Sequence, residues 1–208
     1  MASPTAPPEG AGIERRAFPR YHLVRPLKGF VEHGEERYPG SVLDVSVSGF
    51  LLYVPGGDGG RFLHGAGTDF GEVVFGDKTF GGFGNIAGVR RLAGGTGVGF
   101  KWDAGVYQEA RPAIDELIAD LAQRRQAGSV RRDEGVVRVF GHLSVALSVD
   151  LHSALAAGAN RLCLADTLSL DSSGLNLLLD LQKAGIGIGE VHPDIVEPLK
   201  RFRLVDDA

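Results

Sequence analysis

Residues 14–20 read Glu-Arg-Arg-Ala-Phe-Pro-Arg, and residues 44–49 read Asp-Val-Ser-Val-Ser-Gly. The first stretch holds three arginines. A guanidinium is a planar fork of donors that binds phosphate through two hydrogen bonds and pairs with the O6 and N7 edge of guanine. These residues therefore predict a site for a phosphate-rich ligand that carries guanine.

The second stretch has the chemistry of a polar turn that could complete such a site. Asp44 and Ser46 lie two residues apart, so in an extended segment their side chains point the same way. The carboxylate can accept hydrogen bonds from guanine N1 and N2, and the hydroxyl can add another. Gly49 can take the positive φ of a tight bend. Either stretch alone has a structural explanation, because spaced arginines are usually a solvated face and such a turn usually closes a hairpin.

Taken together, the two stretches resemble the signature of the PilZ family, RxxxR followed by (D/N)xSxxG. The resemblance covers residues 13–103 and implies a six-stranded β-barrel that binds cyclic di-GMP, with the arginine arm closing over the ligand. Arg15 directly precedes the motif, and in this family an extra arginine implies a stacked pair of ligands; the alternative is a solvated side chain. The ligand-binding residues that the resemblance implies are Arg15, Arg16, Arg20, Asp44, Ser46 and Gly49.

The composition is that of an ordinary globular protein. Of the 208 residues 43% are hydrophobic and 23% charged, which suits one large or two small domains. Cys163 is the single cysteine, so no intramolecular disulfide forms and metal-site spacing is absent. Apolar runs are too short to span a membrane and the N-terminal residues lack signal-peptide features, so we expect a cytoplasmic protein. A net charge of −4 argues against bulk nucleic-acid or anionic membrane binding.

The segment that follows the arginines predicts an all-β domain. Residues 1–12, rich in Pro, Ala and Gly, predict a disordered tail. Short apolar runs separated by glycine turns then favour a barrel or sandwich, in which Trp102 packs one end. The predicted strands are Tyr21–Phe30, Val42–Asp44, Gly49–Val54, Gly71–Phe75, Ile86–Leu92 and Gly97–Trp102.

Residues 106–126 change to a helical period. Ala110, Ile114, Leu117 and Leu121 recur at steps of three and four residues, which predicts an amphipathic helix. We interpret residues 104–128 as a linker helix that packs on the barrel. A dimerisation coil is the weaker alternative, because barely two heptads are present.

The C-terminal part alternates strand and helix patterns and predicts an α/β domain over residues 129–208. The predicted strands are Val136–Phe140, Arg161–Ala165 and Ile186–Val191. The predicted helices are Ser148–Ala157, Asp171–Ala184 and Asp194–Arg203.

At the centre of this domain lies Asp171-Ser172-Ser173-Gly174-Leu175. It resembles the STAS family of anti-sigma factor antagonists, in which this motif opens a helix and carries a regulatory phosphoserine. The resemblance implies phosphorylation of Ser173 rather than Ser172, and docking of an anti-sigma, kinase-like or other signalling protein. Asp171 or Ser172 can cap the helix, and Ser173 would lie in the first turn, where free amides tolerate a phosphate. Plain helix capping is the alternative.

The sequence thus predicts a non-enzymatic adaptor with cyclic di-GMP as its ligand and no other cofactor. His142, His152 and His192 are scattered, and no metal-binding motif is present. Ser173 lacks a nucleophile elbow and an obvious base, which argues against a hydrolase. Two functions stay open. Ligand binding could control a STAS-type interaction, or the C-terminal domain could be a constitutive, non-phosphorylated scaffold.

Overall fold

The computed structural model describes residues 18–56, 59–62 and 69–205. The predicted tail, Arg15 and Arg16 lie outside these residues. The chain forms two compact units, of which one comprises Arg20–Ala127. The described part of the other runs from Gly128 to Val205 and takes in Phe18 and Pro19. The domain limits inferred from the sequence stay predictions.

Six strands of the first unit form a closed antiparallel barrel. The strands are β1 Tyr21–His33, β2 Glu36–Ser46, β3 Gly49–Pro55, β4 Asp69–Phe75, β5 Lys78–Leu92 and β6 Gly95–Trp102. Neighbours follow in the order β1-β2-β3-β6-β5-β4, and β4 pairs back with β1 to close the barrel. The prediction of a six-stranded β-barrel is confirmed.

The barrel interior is filled by β-branched and aliphatic side chains. Val31, Val42, Leu52, Ile86 and Val98 are fully buried. Each such side chain contributes about 1.5–3 kcal/mol when it leaves water. The alternation of these residues with exposed ones along each strand is what closes a sheet around one core.

Two strands begin well before their predicted starts. β2 begins at Glu36 rather than Val42, and β5 begins at Lys78 rather than Ile86. The early part of β5 is rich in glycine, which is uncommon inside strands. Here the glycine lets strands approach closely, because a Cβ on Gly84 would lie 2.1 Å from the Lys101 carbonyl oxygen.

A single helix, α1 Ala104–Gln123, follows the barrel within the same unit. Its apolar stripe of Ile114, Ile118 and Leu121 is buried, as the amphipathic period predicted. The helix ends before residue 126, because Arg125 takes a left-handed conformation with φ of 59°. The helix lies within the predicted linker segment 104–128, whose limits stay a prediction. None of the described helices combines the length and the hydropathy that a membrane span requires.

The second unit opens with a strand that the sequence did not indicate. β7 Ala127–Asp133 pairs antiparallel with β8 Val136–Leu143. Charged residues at 131–133 hide its pattern. Positive φ angles at Glu134 and Gly135 make the two-residue turn that joins the strands.

The remaining elements alternate as predicted. Strands β8, β9 and β10 are parallel, and helices connect or follow them. The core includes the fully buried Val139, Leu162, Leu164, Leu178 and Leu199. The elements are α2 Ser148–Ala156, β9 Arg161–Leu170, α3 Ser172–Lys183, β10 Gly187–Val191 and α4 Pro193–Arg201. β9 runs five residues beyond its predicted end at Ala165.

Candidate functional site

Hydroxyl groups organise the turn between β2 and β3, where the second sequence motif lies. Ser46 pairs with Gly49 across the hairpin. The buried Ser46 hydroxyl donates to the Gly49 carbonyl oxygen at 3.2 Å, and its Oγ lies 3.1 Å from Ser48 Oγ. These contacts hold the two-residue turn in one conformation.

Gly49 is required by a close approach of backbones. Its φ is +157°, and a Cβ at this position would lie 2.0 Å from the carbonyl oxygen of Phe100 on β6. Real Cβ contacts are never so short, so any other residue would push β3 away from β6. The glycine of the motif thus serves the strand packing directly behind the turn.

Asp44 is a buried carboxylate with an unused acceptor. Only 2% of the residue is exposed, and its Oδ1 makes no hydrogen bond with any described residue. Its Oδ2 lies 3.5 Å from Arg20 Nη1. Burial of a carboxylate is costly unless donors surround it. This group is therefore under-satisfied in the absence of a further donor.

The strand register brings Arg20 to this carboxylate. Arg20 directly precedes β1, and the first residues of β1 pair with the end of β2, Tyr21 with Val45 and His22 with Asp44. The side chain of Arg20 is one-third exposed. The structure thus brings Arg20, Asp44, Ser46 and Gly49 together at one end of the β2–β3 hairpin.

A second polar cluster lies at the start of α3. Asp171 is the N-cap, and its Oδ1 accepts hydrogen bonds from the Gly174 amide at 2.8 Å and the Ser173 hydroxyl at 2.6 Å. Ser173 Oγ also accepts from the amide of Val145 at 2.9 Å. Val145 opens a short 3₁₀ turn that ends at Leu147. Ser173 therefore links the first turn of α3 to this 3₁₀ turn, whereas Ser172 is exposed.

His142 belongs to this cluster, although the sequence analysis treated it as isolated. The buried ring places Nδ1 2.8 Å from Ser169 Oγ and Nε2 3.5 Å from Asp171 Oδ2. Parallel pairing aligns His142 with Ser169, so the ends of β8 and β9 meet here. Adjacent parallel strands have their carboxyl ends at the same edge of a sheet. Applied to the sequence, this rule would have predicted that His142 and Ser169 lie close together.

The neighbours of Asp171 change the pKa of its carboxyl. Partial burial raises the pKa of its carboxyl, but hydrogen bonds from Ser173 and Gly174 and the nearby His142 outweigh burial, so the pKa lies below its ordinary value. Asp171 is thus an anion at neutral pH. In the part of the chain that the structure describes, no group of three His, Cys, Asp or Glu side chains could hold a metal ion.

No family model matches the chain, and no curated protein matches it. Similar solved structures include the PilZ domain of YcgR from Escherichia coli with c-di-GMP (12% identity over 53% of this chain and 96% of that chain, TM-score 0.42). They also include YcgR from Escherichia coli in complex with c-di-GMP (14% identity, 53% of this chain and 49% of that chain, TM-score 0.39). A third is the Bacillus subtilis inhibitor of motility MotI/DgrA (11% identity, 52% of this chain and 53% of that chain, TM-score 0.39). This chain therefore spans about half the length of the latter two proteins.

The two clusters differ in what they can do chemically. The end of the β2–β3 hairpin offers a cation, a buried acceptor and a hydroxyl, which suits recognition of a ligand that has both phosphate and donor groups. The start of α3 offers a hydroxyl held by an acceptor and a backbone donor. That arrangement is sensitive to any group added to the hydroxyl.

Proposed function

We propose that the chain is a cyclic di-GMP receptor and adaptor, with no catalytic step of its own. In this proposal the barrel, at residues 13–103, binds the ligand, and the C-terminal unit, at residues 129–208, docks a signalling protein. The proposed ligand-binding residues are Arg15, Arg16, Arg20, Asp44, Ser46 and Gly49. The motif signature and the placement of its described residues at one end of the barrel support this function.

The observation that carries the proposal is the unsatisfied Oδ1 of Asp44. Buried polar atoms nearly always have a hydrogen-bond partner, and an exception needs an explanation. A guanine base has adjacent N1–H and N2–H donors, which a carboxylate can accept together. A guanine that reached Asp44 would supply what the described residues lack.

Arg20 is proposed to supply the positive charge that recognises the ligand. Its guanidinium is partly exposed, so it can contact a phosphate or the guanine O6 and N7 edge while staying near Asp44. The fork geometry favours a ligand with several phosphate oxygens. Ser46 and Gly49 fix the turn that presents the carboxylate.

Isothermal titration calorimetry with cyclic di-GMP tests the proposal. Arg20→Ala and Asp44→Asn should each weaken binding about tenfold to more than hundredfold, because each removes a charge-assisted contact of roughly 1.5–3 kcal/mol. Asp44→Asn keeps the shape but replaces an acceptor with a donor. The stoichiometry of the same titration reports whether Arg15 accompanies a stacked ligand pair.

Two controls make the titration specific. The first control is Arg90→Ala, which removes an exposed arginine from β5. Arg90 pairs with Gly97 on β6, four residues away from Lys101, the β6 residue that pairs with Gly49. The Arg90→Ala chain should bind cyclic di-GMP as the wild-type chain does. Cyclic di-AMP should bind more weakly, since adenine lacks the N1–H and N2–H donors. No heat with the wild-type chain, or equal binding by Asp44→Asn, would contradict the proposal.

For the C-terminal unit we propose a STAS-like docking surface around Ser173. Val145, which follows Ser144 in the 3₁₀ turn bonded to Ser173, is 61% exposed, and Val149, four residues further along the chain, is 76% exposed. The Val145 amide donates to Ser173 Oγ, so a phosphate on Ser173 would disturb the 3₁₀ turn that carries the exposed Val145 side chain. The competing function is a constitutive scaffold in which Ser173 is never modified.

A further inference from the structure

Trp102 lies where the proposed ligand site meets helix α1. It is the single tryptophan of the chain and is 4% exposed. Its ring lies against Phe50, Phe80 and Phe100, with centroid distances of 5.4, 5.9 and 5.1 Å. The indole Nε1 makes no hydrogen bond with any described residue. A buried indole N–H normally has a hydrogen-bond partner, so this position holds a donor that no described residue satisfies.

A small, partly open cavity adjoins this ring. Its volume is ≈ 10 Å³, about the space of one water molecule. Ser46, Gly49 and Phe50 line it on the hairpin side, and Ile114 and Leu117 line it on the α1 side. The ligand motif and α1 therefore share one incompletely filled space within the first unit.

We propose that α1 is the element that responds when the β2–β3 hairpin binds its ligand, and that Trp102 and the cavity transmit the change. This inference rests on the proposed function of the hairpin. Phe50 directly follows Gly49, and its ring centroid lies 5.4 Å from that of Trp102, so a shift of the hairpin moves the aromatic cluster that lines the same cavity as Leu117. A close-packed core resists such movement, whereas the partly open cavity beside the ring gives it room. Ligand then stabilises the arrangement in which α1 is held more tightly.

The sole tryptophan makes the test direct. The full-length chain is titrated with cyclic di-GMP, and binding is followed in parallel by calorimetry and by Trp102 fluorescence. The emission should change with the same midpoint as the heat. Amide hydrogen exchange over residues 113–121 should slow by about fivefold or more, the lower end of typical coupling between sites.

A matched pair of variants separates coupling from binding. Leu117→Ala truncates a half-buried side chain that lines the cavity. Its control, Leu92→Ala, truncates a half-buried side chain of β5 that pairs with Gly95, at the opposite end of β6 from Trp102. The Leu117→Ala chain should still bind cyclic di-GMP, but amide exchange in α1 should no longer depend on the ligand. Because coupling between two sites is reciprocal, the affinity of this variant for the ligand should also change. Leu92→Ala should keep both responses.

The outcomes distinguish the inference from the function it rests on. Binding heat with unchanged Trp102 emission and unchanged α1 exchange would overturn the coupling and leave the receptor function standing. Ligand-dependent exchange that persists in Leu117→Ala would also overturn it. Absence of binding heat in the wild type would overturn both.

Discussion

Asp171 shows at the residue scale how one carboxylate can hold several elements of structure. It caps α3, accepts the Ser173 hydroxyl and pairs with His142 at the end of β8. All these contacts favour the anion, which is why the pKa of its carboxyl is lowered despite partial burial. A carboxyl whose pKa is lower in the folded than in the unfolded state stabilises the fold above the unfolded pKa. That contribution is lost as the pH falls through the folded pKa.

We therefore predict that Asp171→Asn makes the free energy of unfolding less sensitive to acid. Urea unfolding between about pH 6 and pH 2 brackets the ordinary carboxyl range. At the upper end the variant should be less stable than the wild type by under about 1 kcal/mol, because the site is half-exposed and asparagine still caps. The difference should shrink as the pH falls.

The control for this prediction is Asp180→Asn. Asp180 lies on the same helix and is exposed, with Lys183 as its neighbour. Its replacement should change the free energy of unfolding at neutral pH by less than Asp171→Asn does, because an exposed ion pair contributes little. Equal acid dependence in wild type and Asp171→Asn would show that the cluster around His142 does not favour the anion.

Sequence could identify some of these residues but not their surroundings. The motif spacing pointed to Asp44, Ser46 and Gly49 without any structure. It could not show that Asp44 is buried with a free acceptor, because that depends on the register of β1 against β2. His142 was missed for a similar reason, since only the parallel pairing of β8 and β9 brings it to Ser169 and thus to Asp171.

At the scale of elements, periodicity predicted most strands and helices and failed where side chains obey other constraints. β7 carries Arg131, Arg132 and Asp133 and has no apolar alternation at its end, so it resembled a loop. The first half of β5 is glycine-rich because neighbouring strands approach closely there. Helix α3 was predicted well, because its cap and its apolar stripe agree.

The start of α3 supports a prediction about added charge. Ser172→Glu places a carboxylate on an exposed position of the first turn, where the helix dipole favours an anion by about 0.3–1 kcal/mol. Ser173→Glu instead removes the hydroxyl that joins Asp171 and the Val145 amide, and sets a second carboxylate beside Asp171. It should destabilise the chain by roughly 1–3 kcal/mol.

Chemical unfolding of the two glutamate variants and of Ser173→Ala measures this difference. Ser173→Ala, which loses the hydrogen bonds but adds no charge, should fall between the other two. Equal stability of both glutamate variants would mean that the hydroxyl of Ser173 is not a structural link. It would then be a poor candidate for a switch that works by rearranging the 3₁₀ turn.

At the scale of the whole molecule, the adaptor and the constitutive scaffold differ in one measurable property. An adaptor requires that ligand bound to the barrel alter the C-terminal unit, and a ligand can do so only through different affinities for two states of the chain. A scaffold has no such requirement. The barrel alone cannot decide between them, because its ligand site does not show whether binding alters the C-terminal unit.

Hydrogen exchange across the described residues, with and without cyclic di-GMP, should therefore show two responses. Exchange should slow near Arg20 and Asp44, where ligand is proposed to bind. For an adaptor it should also change by about fivefold or more at residues 143–149 and 171–175, around the proposed docking surface. Arg20→Ala should reduce both responses together at a ligand concentration that just saturates the wild type. A change in exchange confined to residues 20–127 would favour the constitutive scaffold, because ligand binding would then not alter the surface around Ser173.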